Sequence, residues 1–172
     1  MGFVIGPFQA AFGRTEFDCG VPALNRYLKE QATQYIRHHY AAMFVAVDES
    51  SKIILGYYTL SNTGVDFHDV SDEIKKRLPK YPSVPAIRIG RLAVDSSAQG
   101  QGIGSELMAD AILRSMSNVA AWAMMIVDAK NEKAVAFYKK FGFRELRENS
   151  FNLFIMRQTL EKFLMNRGEF LK

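Results

Sequence analysis

The sequence predicts an α+β fold in which helices cover a mixed, partly antiparallel sheet. Three observations lead to it: apolar residues recur at helical spacing between Pro22 and Tyr40, two apolar runs flank a polar segment at 48–52, and an apolar strand runs into a glycine-rich turn and a helix. The order helix, hairpin, strand, helix, strand, helix, strand is typical of an α+β layer. With 172 residues, 48% of them hydrophobic, the chain can bury one sizeable core, so we expect a single domain over residues 1–172.

The first part of the chain predicts a helix and a hairpin. Pro22 suits the first turn of the helix, and the basic residues 37–39 suit the negative end of its dipole. The apolar stripe of this helix is Leu24, Leu28, Ala32, Tyr35 and Ile36. The runs at 42–47 and 53–60 then form the two strands of the hairpin.

The middle of the chain predicts a short charged helix and then a strand–turn–helix unit. The charged helix is expected from Asp69 to Lys80, and prolines in the segment 79–85 require a loop after it. The strand from Ala86 to Val94 leads into the glycine-rich turn, and a helix follows from Ile103. We expect the strands before and after that helix to be parallel and joined by a right-handed connection.

The last part of the chain predicts a buried strand, a helix and a closing hairpin. The strand is expected at 121–127, and Asn131 suits the N-cap of a helix that Gly142 ends. The apolar stripe of that helix is Ala134, Phe137, Tyr138 and Phe141. Two closing strands and a terminal helical turn are expected at 143–147, 152–156 and 160–164.

Composition excludes several classes of protein. Cys19 is the only cysteine, which rules out an intramolecular disulfide and any cysteine-rich metal site, and agrees with a reducing compartment. The N-terminal segment has no signal-peptide pattern, and no apolar run approaches the roughly 20 residues of a membrane span, so we expect a cytoplasmic protein without a membrane partner. The net charge of +4 permits a polyanionic partner without requiring one.

The turn Gln99-Gly100-Gln101-Gly102-Ile103-Gly104 has the composition of a pyrophosphate site. Glycines let backbone N–H groups approach an anion, and the following helix adds its positive end. The Walker pattern is excluded because Ser105 follows Gly104 with no lysine between them. The dinucleotide pattern Gly-x-Gly-x-x-Gly also fails, because position 105 is not glycine.

The spacing of Gln99, Gly102 and Gly104 resembles the signature of the Gcn5-related N-acetyltransferase (GNAT) family, which is Arg or Gln, two residues, Gly, one residue, then Gly or Ala. Three more segments fit the family in the same order, at 91–95, 127–131 and 136–143. The resemblance covers about half of the chain. It implies a twisted sheet with helices on both faces and an enzyme that transfers an acetyl group from acetyl-CoA to an amine.

The resemblance also implies roles for individual residues. The strand matching 92–94 pairs its backbone with the pantetheine arm of the cofactor, and Tyr138 protonates the departing CoA thiolate. The residues that it places at the cofactor are Leu92, Ala93, Val94, Gln99, Gly100, Gln101, Gly102, Ile103, Gly104, Asn131, Phe137 and Lys140. Periodicity by itself would make Tyr138 an ordinary core aromatic and Asn131 a simple N-cap.

The amine acceptor is indicated by a missing carboxylate. A lysine amine, with a reference pKa of about 10.4, needs a strong base, whereas an α-amine at about 7.7 to 8.0 is partly deprotonated at neutral pH. The strand 86–94 contains no Asp or Glu, so the usual position of a family base is empty. This favours an α-amine or a water-relayed proton, with Asp128 or a loop residue left as an alternative base.

A second resemblance lies outside the cofactor core, in residues 17–28 and 56–61. These segments are similar to the acetyltransferase toxins of bacterial toxin–antitoxin pairs, which acetylate the α-amine of aminoacyl-tRNA and stop translation. The resemblance implies a ribbon-helix-helix antitoxin as partner and leaves a homodimer open. It gives the basic residues a role at tRNA phosphates: Arg37, Lys75, Lys76, Arg77, Lys80, Arg88 and Arg91.

Two other functions remain open at this point. The chain would also suit a GNAT enzyme that acetylates a small amine or a protein N-terminus. A CoA-binding regulatory module without turnover would carry the same glycine-rich turn. The identity of the tRNA, or of any other acceptor, cannot be read from the residues.

Overall fold

The computed structural model describes residues 2–147 and 150–166. Its strands are β1 (Phe3–Pro7), β2 (Ala42–Asp48), β3 (Ile54–Asp66), β4 (Ser83–Val94), β5 (Met124–Asp128), β6 (Arg144–Glu145) and β7 (Asn152–Met156). In this part of the chain they form one seven-stranded sheet in the order β1-β2-β3-β4-β5-β7-β6. The pairs β1–β2, β2–β3, β5–β7 and β6–β7 are antiparallel, which confirms the predicted α+β class. That β4 and β5 are parallel stays a prediction.

The helices are α1 (Pro22–Arg26), α2 (Ala32–Arg37), α3 (Asp72–Lys75), α4 (Ile103–Met116), α5 (Glu132–Lys139) and α6 (Arg157–Asn166). A π-helical turn, Tyr27–Gln31, joins α1 to α2, so the predicted first helix is present with one wide turn in it. No helix in the described ranges is long and apolar enough to cross a membrane. The chain divides into two compact units, and a single domain over 1–172 stays a prediction.

The first unit comprises Met1–Ser61 and Ile89–Ser117. It contains the predicted hairpin, in which Ala42 pairs with Leu60 and the register shifts between Ala46 and Val47. Strand β1 was not predicted from the sequence, since it is a short edge strand that includes a glycine and a proline. The core cluster of the first unit is Phe17, Leu24, Tyr27, Leu28, Ala32, Met43, Val45, Val47, Ile54, Tyr57 and Ala93.

The glycine at position 56 allows β3 to lie close to β4 and α4 in this unit. A Cβ atom at this position would lie 2.9 Å from Leu107 Cδ1 and 3.0 Å from the carbonyl oxygen of Ala93. Those separations are too short for a side chain, so the glycine lets the end of β4 and the first turns of α4 pack tightly on β3. The glycine-rich turn connects these two elements.

The second unit comprises Asn62–Arg88 and Asn118–Lys172. Its core cluster is Val65, Val70, Ile74, Val84, Ala86, Met124, Ile126 and Phe154. The predicted charged helix from Asp69 to Lys80 was too long, because α3 has only four residues and the chain continues in turns towards the prolines. The predicted buried strand at 121–127 begins later than expected, at Met124.

The remaining elements follow the predictions with shifted ends. Strand β4 begins at Ser83 rather than Ala86, and β3 continues past Leu60 to Asp66. Strand β7 has the predicted bounds, whereas β6 contains only two of the five predicted residues. Helix α6 extends the predicted terminal turn to ten residues.

Candidate active site

The glycine-rich turn lies between β4 and α4, and an aspartate anchors its start. The side chain of Asp95 accepts hydrogen bonds from Ser97 N at 2.9 Å and from Asp18 N at 2.9 Å. A short 3-10 turn at Ser96–Ala98 follows, with Ala98 fully buried. The turn is therefore attached to the rest of the first unit before the glycines begin.

Two glycines give the turn its shape. Gly100 has φ +77° and Gly102 has φ +84°, both in the left-handed region that other residues rarely adopt. A Cβ atom at either position would meet nothing within 4 Å, so these glycines are required by backbone conformation and not by crowding. Gly102 is also the N-cap residue of α4.

The backbone of the turn offers free hydrogen-bond donors. No residue in the described part of the chain accepts a hydrogen bond from the N–H groups of residues 100–105, and the first helical bond of α4 runs from Glu106 N to Gly102 O at 3.1 Å. These donors lie at the positive end of a 14-residue helix. The arrangement is chemically suited to a phosphate or pyrophosphate group.

The two glutamine side chains in the turn contact protein rather than open space. Gln99 Nε2 donates to the carbonyl oxygens of Val94 at 2.9 Å and Cys19 at 3.3 Å. Gln101 Nε2 donates to the carbonyl oxygen of Ser97 at 3.2 Å. These amides hold the shape of the turn, so a cofactor contact by either residue would come from its backbone N–H.

The end of β4 contains the predicted pantetheine-pairing residues. Leu92 and Val94 are half-buried, whereas Ala93 is buried and packs in the core of the first unit. The side chain of Ala93 is therefore unavailable to a ligand, and only its backbone could take part. The carbonyl oxygen of Val94, at the end of the strand, already accepts a hydrogen bond from Gln99 Nε2.

Helix α5 of the second unit carries the predicted catalytic tyrosine. Its N-cap is Asn131, whose Oδ1 accepts from Ala134 N at 2.9 Å, as the sequence indicated. The Tyr138 ring packs at 5.3 Å from that of Phe137 and at 5.7 Å from that of Phe143. Lys140 follows the helix and is exposed.

The environment of Tyr138 keeps its phenol protonated. The residue is 5% exposed, and this burial, followed by the nearby charge of Asp128, raises the pKa of the Tyr138 hydroxyl above its ordinary value near 10. A phenol in this state can donate a proton at neutral pH and cannot act there as a base. Tyr138 is thus both a core aromatic and a suitable proton donor.

Asp128 is paired with a basic residue that the sequence analysis assigned to tRNA. Arg88 Nη1 donates to Asp128 Oδ2 at 2.5 Å, and both side chains are partly exposed. The pairing was missed because the residues are 40 positions apart. It occupies one oxygen of the Asp128 carboxylate with a guanidinium.

The other predicted tRNA-contacting residues differ in their surroundings. The Arg91 guanidinium lies 3.6 Å from the ring centroid of Tyr27, so it has a packing role in the first unit. Lys75 Nζ lies 3.7 Å from Asp72 Oδ1. The remaining basic side chains are exposed: Arg37, Lys76, Arg77 and Lys80.

The sequence model of the acetyltransferase (GNAT) domain matches residues 39–145. This span is more than half of the chain and includes β4, the glycine-rich turn and α5. The chain belongs to the GNAT family. The glycine-rich turn and the tyrosine on α5 are therefore read as parts of a GNAT acetyltransferase.

Individual GNAT proteins resemble the chain over three-quarters of its length or more. A tRNA-acetylating toxin of Mycobacterium tuberculosis is 32% identical over 131 residues, which is 75% of this chain and 76% of that protein. The crystal structure of a tyrosine-to-phenylalanine mutant of KacT is 33% identical, covers 95% of this chain and 99% of its own, and superposes with a TM-score of 0.87.

Two structures of the toxin AtaT show ligands and a partner of that protein. AtaT complexed with acetyl-methionyl-tRNAfMet is 31% identical, with a TM-score of 0.84 and coverage of 95% of this chain and 99% of its own. A tyrosine-to-phenylalanine mutant of AtaT bound to acetyl-CoA and the C-terminus of the antitoxin AtaR is 29% identical, with a TM-score of 0.78 and coverage of 94% and 98%.

The sequence did not indicate that Asp18 supports the glycine-rich turn. Asp18 Oδ1 accepts from Gly20 N at 2.9 Å and from Asn25 Nδ2 at 2.8 Å, and its carbonyl oxygen accepts from Ser96 N at 2.8 Å. These bonds tie the segment before α1 to the start of the turn. The motif 17–28 contained the signal, but the partner at Ser96 is 78 residues away.

Proposed function

We propose that this chain is an acetyl-CoA-dependent N-acetyltransferase that acetylates the α-amino group of aminoacyl-tRNA and thereby blocks translation. The observation that carries the proposal is its similarity, at 31% identity and over 95% of the chain, to AtaT complexed with an acetylated aminoacyl-tRNA. Membership of the GNAT family, and the relative described as a tRNA-acetylating toxin, support the same reaction.

The donor is held by the glycine-rich turn and the end of β4. The unpaired N–H groups of residues 100–105 bind the pyrophosphate of acetyl-CoA, and the α4 dipole favours its negative charge. The backbone of residues 92–94 pairs with the pantetheine arm, in the manner of an added strand. Asn131, Phe137 and Lys140 are the other residues that we propose for cofactor contact, as the family resemblance implies.

Transfer requires a free amine and a proton for the leaving group. The neutral amine attacks the thioester carbonyl, the C–N bond forms, and the C–S bond breaks. The Tyr138 hydroxyl donates its proton to the departing CoA sulfur, and the proton that the attacking nitrogen loses on forming the amide returns through water to the Tyr138 phenolate. The phenol of Tyr138 is protonated at neutral pH, because burial raises the pKa of a group that is ordinarily near 10, so the proton is available when the thiolate appears.

The absence of a carboxylate from β4 supports an α-amine as acceptor. Strand β4 contains no Asp or Glu between Ser83 and Val94, and Asp128 is paired with Arg88. An α-amine has a reference pKa of about 7.7 to 8.0, so a useful fraction is neutral at pH 7 without a strong base. Lysine side chains, at about 10.4, would not meet this condition.

The partners follow from the same reaction. We propose that the exposed side chains of Arg37, Lys76, Arg77 and Lys80 contact tRNA phosphates. The same proposed set of basic residues also includes Lys75, Arg88 and Arg91. Since the AtaT mutant is bound to an antitoxin, the present chain is expected to bind an antitoxin, of the ribbon-helix-helix class. A homodimer and a cytoplasmic location are consistent with an enzyme that acts on tRNA.

The proposal is tested by incubating the full chain with radiolabelled acetyl-CoA and total charged tRNA. Transfer of label to aminoacyl-tRNA, and none to uncharged tRNA, is expected. Label that appears only on small amines or on protein N-termini would favour a different GNAT acceptor. Binding of acetyl-CoA with no transfer to any amine would favour a regulatory module.

A further inference from the structure

An exposed tyrosine lies within the most basic segment of the chain. Tyr81 is 69% exposed, and its side chain makes no ring, cation–π or hydrogen-bond contact with any residue of the described ranges. Lys76, Arg77 and Lys80 precede it within five positions, and all three are exposed. The face of this ring is therefore open to a binding partner.

The backbone around Tyr81 is held in place. Tyr81 N donates to Pro79 O at 2.9 Å, and Phe67 N donates to Pro82 O at 2.9 Å, which closes the base of the segment. Each proline also restricts its own φ. The exposed ring is therefore presented by a restrained loop, and little further ordering would be needed on binding.

Buried side chains anchor the same segment on the other side. Val70 and Ile74 are each 3% exposed and belong to the core cluster of the second unit. Arg77 N donates to Ile74 O at 2.9 Å, so the turn after α3 is also fixed. The segment thus combines buried apolar anchors with four exposed side chains, those of Lys76, Arg77, Lys80 and Tyr81.

We propose that Tyr81 is a stacking platform for an unpaired base of the acceptor RNA, with Lys76, Arg77 and Lys80 on the flanking phosphates. The proposal rests on the function proposed above and adds a subsite to it. Every base has a π face, so stacking on a tyrosine holds a single strand without regard to sequence, while lysine and arginine neutralise its backbone.

Binding of a short single-stranded RNA oligonucleotide, followed by fluorescence anisotropy, tests the subsite directly. Tyr81→Ala should weaken affinity by about 5- to 150-fold, as expected for one stacked base, and Tyr81→Phe should bind like wild type. Phe163→Ala removes a comparably exposed aromatic from α6 of the same unit and serves as the control. Equal affinity of the Tyr81→Ala and wild-type proteins would overturn the proposal.

Salt dependence separates stacking from charge. Tyr81→Ala should lower affinity at every salt concentration and leave the slope of log K against log salt unchanged. Lys80→Gln should reduce the magnitude of that slope by about 0.7, the value for one phosphate contact on a single strand. A slope altered by Tyr81→Ala as strongly as by Lys80→Gln would contradict the division of roles.

Catalysis distinguishes this subsite from the proposed function itself. With aminoacyl-tRNA, Tyr81→Ala should raise KM and preserve kcat, and with an amino-acid methyl ester it should change neither. If wild type transfers no acetyl group to aminoacyl-tRNA but Tyr81→Ala still loses RNA affinity, the proposed function fails and the subsite stands. Loss of affinity for the antitoxin with unchanged RNA binding would assign Tyr81 to a protein partner and refute the subsite.

Discussion

Replacing Tyr138 with phenylalanine removes one oxygen atom and keeps the ring that packs against Phe137 and Phe143. The variant should therefore fold and bind acetyl-CoA like wild type. Without the phenolic proton, the CoA sulfur must leave as a thiolate or take its proton from water. A positioned proton donor contributes about 10²- to 10⁴-fold to a rate, so kcat should fall by that factor, which corresponds to about 3 to 5 kcal/mol in the barrier.

The assay is single-turnover acetyl transfer to aminoacyl-tRNA, with calorimetry to measure acetyl-CoA affinity. Tyr58→Phe is the matched control, because Tyr58 is also buried but its hydroxyl donates to Asp110 at 2.5 Å in the other unit. That control should lose stability and retain kcat. A Tyr138→Phe protein with the wild-type transfer rate would refute the proton-donor role.

The pH dependence gives an independent check on the same group. Burial and the charge of Asp128 raise the pKa of Tyr138, so its acid form persists beyond the ordinary value of about 10. Wild-type kcat should consequently show no decline caused by loss of this proton below pH 10. A descending limb near pH 8 that disappears in Tyr138→Phe would contradict the assignment.

Four further predictions concern stability and cofactor binding. Gly102→Ala places a side chain at φ +84°, so it should lower the free energy of unfolding by about 1 to 2 kcal/mol and weaken acetyl-CoA binding. The control Gly6→Ala should do neither, because Gly6 has open space around it and no positive φ. Equal effects of the two variants in denaturant titrations would refute the strain argument. Tyr27→Phe should leave the free energy of unfolding unchanged or raise it by about 1 kcal/mol, because its buried hydroxyl has no partner in the described ranges. Tyr57→Phe, which loses a 2.7 Å hydrogen bond, should instead destabilise by about 1 kcal/mol. Burial raises the pKa values of the Tyr57 and Tyr58 hydroxyls, so the unfolded chain loses these protons at a lower pH than the folded chain. The free energy of unfolding should therefore fall as the pH rises above about 10. A free energy of unfolding that stays constant up to about pH 12 would count against this.

The backbone form of the glycine-rich turn and of the α5 N-cap could be predicted from local sequence. The glycine spacing from Gln99 to Gly104, the strand before it and the N-cap at Asn131 are patterns of neighbouring residues, and each has its expected backbone form in the structure. Local patterns also predicted the hairpin and both apolar helical stripes around the site. The predicted helix at 69–80 was too long because charge and a few anchors do not maintain a helix towards a proline-rich segment.

The surroundings of the residues predicted for tRNA contact and catalysis depended on contacts between distant residues. The pairing of Arg88 with Asp128, the stacking of Arg91 on Tyr27, and the burial that holds Tyr138 protonated all join positions far apart in the chain. No periodicity or spacing encodes such contacts, since they arise only when strands and helices pack. The exposed ring of Tyr81 belongs with them, because exposure is a property of the packed molecule.

The sequence by itself determined the family, the donor and the order of elements, because glycine geometry, helix caps and hydrophobic periodicity act within a few residues. Only the tertiary structure decided which carboxylates and arginines remain available, because charges pair across the fold and burial changes their chemistry. The glycine-rich turn could be recognised from its residues alone. Its free N–H groups, and the pairing that occupies Asp128, could be known only once the chain was folded.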